Sequence, residues 1–141
     1  MRKINFVFIL IILFTSIVPT SCDKGPIHYD FDGIVKSSIG DAPVSGVDVT
    51  ISQKIIQNGL AGEGYSLGGA TTTDAAGAFE ISFEREMVTE FILEFEKENY
   101  FSLEVLESSS DVSTGEINSY SEVLEPKSWV TFNIKNFLPL E

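Results

Sequence analysis

The stretch "TTTDAAGAFEISFE", residues 71–84, joins a turn to a strand. Phe79, Ile81 and Phe83 alternate with Glu80, Ser82 and Glu84, the period-two pattern of a strand with one apolar and one polar face. The residues before it are turn-formers. An aspartate such as Asp74 can accept a hydrogen bond from the backbone N–H two residues on, and Gly77 tolerates the positive φ needed to feed the next strand.

The same alternation continues on both sides. In "GVDVTIS", Val47, Val49 and Ile51 are the predicted inward residues, and in "FILEFEKENY" they are Phe91, Leu93 and Phe95. Leu103 and Val105 continue the pattern in "FSLEVLE", and Val130, Phe132 and Ile134 do so in "WVTFNIK", with Trp129 of that strand expected to be part of the sandwich rather than a binding platform. Turn-rich segments at 37–46, 73–77 and 108–116 separate these runs. No helical period is found after the N-terminal segment. About seven short strands at this spacing predict an all-β, antiparallel, Ig-like or prealbumin-like β-sandwich.

The order "FDGIVKSSIGDAPVSGVDVTIS", a glycine-rich stretch, then "TTTDAAGAFEISF" resembles the carboxypeptidase regulatory-like family. The matching positions are Gly40 and Pro43 in the first turn, Gly46 to Ile51 in the next strand, and Thr73, Asp74, Gly77 and Phe79 in the Thr-Asp-x-x-Gly-x-Phe turn. The resemblance covers about residues 29–107 and implies a transthyretin-like sandwich. It implies no particular activity, because such sandwiches carry many.

The N-terminus has a separate logic. Met1, Arg2 and Lys3 precede the apolar run "INFVFILIILFTSIV", which is shorter than the roughly 18 residues needed to span a bilayer, so residues 1–21 read as a cleaved signal peptide. Cys22, the single cysteine, follows Thr20 and Ser21 directly, and this placement resembles a bacterial lipoprotein signal. That family's cysteine becomes the lipidated first residue of the mature protein. Residues 22–28 would then be the anchor and tether, and residues 29–141 the sandwich. Attachment through two or more acyl chains is firm, at about 0.8 kcal/mol per buried methylene. The expected location is the bacterial cell envelope, with the outer membrane as the attachment site and its face left open.

Charge and residue types narrow the function. The chain has 9 Lys+Arg against 21 Asp+Glu, a net charge of −12, which repels phosphate backbones and argues against nucleic acid as a partner. His28, the single histidine, lies in the tether without a platform to orient it, and one His with one Cys cannot furnish a zinc shell. "DFDG" at 30–33 lacks the later ligands of a calcium loop, so no metal and no cofactor are expected. No Gly-x-Ser-x-Gly turn occurs, so no catalytic residue is assigned. The segment 54–70 holds five of the eleven glycines, and Tyr65, Leu67 and Gly68 within it are candidate contacts for a ligand or partner. A non-enzymatic, lipid-anchored binding or assembly module for another envelope protein or a glycan is the expected function. The alternatives are a glycan hydrolase using paired carboxylates, and a structural spacer.

Overall fold

The computed structural model describes residues 27–135, so the leader, Cys22 and most of the tether lie outside the described residues. Among the described residues, eight strands follow one another with no helix between them: β1 (His28–Ser37), β2 (Asp48–Gln57), β3 (Leu60–Ala61), β4 (Ser66–Thr72), β5 (Ala78–Glu84), β6 (Val88–Glu96), β7 (Leu103–Ser108) and β8 (Ile117–Leu124). One sheet has the order β5-β1-β8. The other has β2 at its centre, flanked by β3 and β4 on one side and by β6, then β7, on the other.

The alternation seen in the sequence produces the core. Tyr29, Phe31 and Val35 of β1 are buried, with Phe79, Ile81 and Phe83 of β5 in the same sheet. Val49 and Ile51 of β2 and Phe91, Leu93 and Phe95 of β6 meet them from the other sheet. Aromatic edges lock the two layers together: Tyr29 and Phe31 of one sheet contact Phe91 of the other at centroid distances of 4.9 and 5.7 Å. Such pairs contribute about 0.5–1.5 kcal/mol each beyond burial.

The 73–77 turn behaves as its residues predict. Asp74 Oδ1 accepts hydrogen bonds from the N–H groups of Ala76 (2.8 Å) and Ala78 (2.9 Å), and Gly77 sits at φ 73°. Thr73, buried beside it, donates from Oγ1 to the Val44 carbonyl and accepts from the Val47 N–H. The turn therefore ties β4 and β5 to the loop before β2.

Three features depart from expectation. First, β1 and β8 pair in parallel, whereas all the other strand pairs are antiparallel. Second, the glycine-rich stretch folds back on itself after the strand that runs on to Gln57: Asn58 and Gly59 form a two-residue turn with φ of 53° and 79°, and β3 and β4 pair back on β2. Asn-Gly at both central positions is the preferred chemistry of a hairpin turn that needs positive φ twice. Third, Val130, Phe132 and Ile134, expected as inward residues of a last strand, are 73%, 80% and 91% exposed, and Trp129 is 82% exposed. They belong to no strand. The position beside β1 is taken by β8, and the later described residues pair with no strand of this chain.

Candidate partner-binding surface

The two sides of the sandwich are built differently. On the β4/β5 side, Gly68 and Gly69 of β4 lie directly against β5: a Cβ on Gly68 would meet the Phe83 ring at 2.8 Å, and one on Gly69 would meet Ile81 Cγ2 at 2.5 Å. The absence of side chains lets β4 close down over the β5 aromatics. Gly68 thus has a packing role, whereas Leu67 beside it points outward and is exposed.

Tyr65, the other residue singled out from this stretch, is held on the outer face of the larger sheet. Its hydroxyl donates to Glu90 Oε1 at 2.6 Å, Lys54 Nζ lies 2.9 Å from the same oxygen, and Lys54 Nζ stands 5.5 Å from the Tyr65 ring centre. Donation to the carboxylate raises the Tyr65 pKa, and the bonds from Tyr65 and Lys54 lower that of Glu90. This group links the β3–β4 connection to β2 and β6. Its polar atoms are engaged with one another.

A groove of about 800 Å³ runs over the smaller sheet, with Asp30, Asp32 and Glu80 among its walls and Ile34 and Ile117 among its apolar lining. Asp30 Oδ1 accepts from the Ser82 hydroxyl at 2.6 Å. Among the described residues, no three His, Cys, Asp or Glu side chains are grouped so as to hold a metal ion.

The β7/β8 side is the unusual one. In β8 the polarity is inverted: Asn118, Tyr120 and Glu122 are turned inward and half-buried, while Ile117 and Val123 point outward and are exposed. In β7, Glu107 is half-buried on the same face as Leu103 and Val105, and Leu106 on the opposite face is exposed. Burial, with the charges of Glu107, Glu122 and Asp111 added, pushes the Tyr120 hydroxyl up to about 12. Burial and then the Glu107 charge likewise raise the Glu122 carboxyl. The Glu107 charge is thus felt at Glu122, on the inward face of a strand whose outward Ile117 and Val123 are exposed. The walls of the groove include neither carboxylate.

The segment after β8 leaves from this side. Phe101 N–H donates to the Glu125 carbonyl at 2.9 Å and Lys127 N–H to the Asn99 carbonyl at 2.7 Å, so residues 125–127 run antiparallel to 99–101. Beyond Lys127 the chain continues with its apolar side chains exposed. The sequence contained the signals for this surface, namely Leu-Glu at 106–107 and Ile-Asn at 117–118 against the expected alternation. An alternating pattern alone does not state which face is inward when both contain apolar residues.

No family model matches the chain, and no curated protein matches it. Solved structures do match. The dioxygenase domain of a dioxygenase and carbohydrate-binding protein fusion from Streptomyces sp. SirexAA-E superposes with a TM-score of 0.53 at 13% identity, over 75% of this chain and 84% of that one. The 3-chlorocatechol 1,2-dioxygenase from Rhodococcus opacus 1CP gives 0.51 at 15% identity, over 74% of this chain. This chain spans 62% of that enzyme's length. The shaft pilin SpaA from Lactobacillus rhamnosus GG aligns at 14% identity with a TM-score of 0.48. At such identities what is shared is the β-sandwich, which leaves enzymatic status open.

Proposed function

We propose that the chain is a lipid-anchored protein of the bacterial cell envelope whose sandwich is a non-enzymatic assembly module, engaging another protein through its β7/β8 side. The observation that carries this reading is the inverted polarity of that side. Ile117 and Val123 of β8 face solvent while Asn118 and Glu122 on its other face are half-buried, an arrangement that costs free energy in isolation. A partner covering the apolar groups would offset that cost. The anchor half of the proposal stands on Cys22 and the apolar leader before it.

The test has two arms. Intact mass of the detergent-extracted protein from a lipoprotein-making bacterial host should begin at Cys22 and carry a diacylglycerol-sized increment, and the Cys22→Ala variant should lack it. A photo-crosslinking amino acid at position 117 should yield protein adducts in the envelope, whereas the same group at the exposed Glu63 should not. An unmodified mass would remove the anchor, and equal labelling at both positions would remove the β7/β8 side as the contact.

A further inference from the structure

We propose that residues Trp129–Ile134 form an added β-strand on the free edge of β7 in a second copy of this chain. The inference rests on the assembly reading above and names its partner.

The segment is a strand without a sheet. Val130, Phe132 and Ile134 fall on one face by the period-two rule, and all three are among the most exposed apolar residues of the described chain. Beyond Lys127 N–H, bonded to the Asn99 carbonyl, no inter-segment backbone hydrogen bond is found in residues 128–135 among the described residues. Peptide groups in such a segment gain partners by adding to an exposed sheet edge, the commonest way one chain recognises another through backbone alone.

β7 offers that edge. It pairs with β6 on one side, and no strand among the described residues pairs on the other. Residues 103–108 and 129–134 are equal in length. Charge also matches: the stretch 127–135 contains Lys127 and Lys135 and no acid, in a chain of 21 acids and 9 bases. β7 carries Glu104 and Glu107, and the neighbouring β6 carries Glu90, Glu94 and Glu96. Opposite charges of this kind fix register and suppress wrong partners. With Val130, Phe132 and Ile134 turned inward, the apolar face would extend the layer of Leu103 and Val105, and Trp129 would share the outer face with Leu106.

The β7 of the same chain is not the natural acceptor: the antiparallel contacts of 125–127 with 99–101 direct residue 128 past Asn99, away from Leu103, so pairing within one chain would require the segment to reverse after Lys127. A contact in which one copy gives a strand and another receives it is head-to-tail; it propagates as a chain of copies or closes by reciprocal exchange.

The experiment places p-benzoylphenylalanine at position 132 of the full-length protein, made as a mixture of 14N- and 15N-labelled copies, and irradiates it in detergent and in the envelope. The expected product is an adduct of two chains, with hybrid isotopic mass, linked to the peptide containing residues 103–108. Leu106→Lys, a change at an exposed outward position, should reduce that adduct several-fold while leaving thermal melting of the domain unchanged. A link confined to one chain overturns the proposal, as does an adduct yield unaffected by Leu106→Lys. Adducts formed only with a different protein overturn self-pairing but leave the assembly reading standing. Absence of any protein adduct from positions 132 and 117 alike overturns both.

Discussion

Asp74 and Gly77 carry a role that their chemistry alone specifies. Removing the Asp74 carboxylate leaves the Ala76 and Ala78 N–H groups without their 2.8 and 2.9 Å acceptor, so Asp74→Ala should cost about 1–2 kcal/mol in chemical denaturation. Gly77→Ala should cost more, about 2 kcal/mol or above, because φ is 73° and the new Cβ would lie 2.5 Å from the Val35 carbonyl oxygen. Equal effects of the two substitutions would contradict this ordering. Gln53 is the opposite case. It is buried on β2 with no hydrogen-bond partner for Oε1 among the described residues, so its polarity is a cost that the sequence pattern does not explain. Gln53→Met, nearly equal in volume, should raise stability by about 1 kcal/mol, seen as a higher Tm. A lower Tm would mean that the amide has a partner, such as a bound water.

Among the elements, β8 is the one whose behaviour depends most on its neighbours. Glu122 is placed inward there, and burial plus the Glu107 charge raises its carboxyl above the ordinary value of 4.5. The folded state then holds this proton more tightly than the unfolded chain does. The resulting stabilisation is present below 4.5 and is lost as the pH rises through the raised folded value. At neutral pH the ionised Glu122 is a net cost, so Glu122→Gln should stabilise the domain by a few tenths of a kcal/mol, the discount reflecting partial exposure. At pH below 4.5 the two proteins should unfold alike. Denaturant titrations at two pH values check this, and a pH-independent difference would assign the effect to packing. Inward carboxylates beside edge strands also discourage unspecific pairing, which leaves a matched basic strand as the favoured guest. The hairpin at Asn58 and Gly59 was readable in principle from that dipeptide, but the surrounding glycines make the same stretch look like a loop.

For the whole molecule, what was legible in the sequence is what local chemistry dictates. Alternation placed Val47, Val49, Ile51, Phe79, Ile81, Phe83, Phe91, Leu93 and Phe95 in the core, and all are buried. Turn residues separated the strands, and acidic side chains marked much of the outer surface. The possible contact residues Tyr65, Leu67 and Gly68 were legible only as a group; the fold divides them into a hydroxyl bonded to Glu90, an exposed leucine and a glycine pressed on Phe83. Which strand would lie beside β1 was not determined locally, because strand pairing joins residues far apart and the loops between them permit several partners. Tertiary structure chose residues 117–124, whose inward positions are largely polar, over 129–134, whose alternation is the stronger. Period two says that a segment can join a sheet; only the finished sandwich, with its edges already occupied or left open, decides whether that sheet lies within the chain.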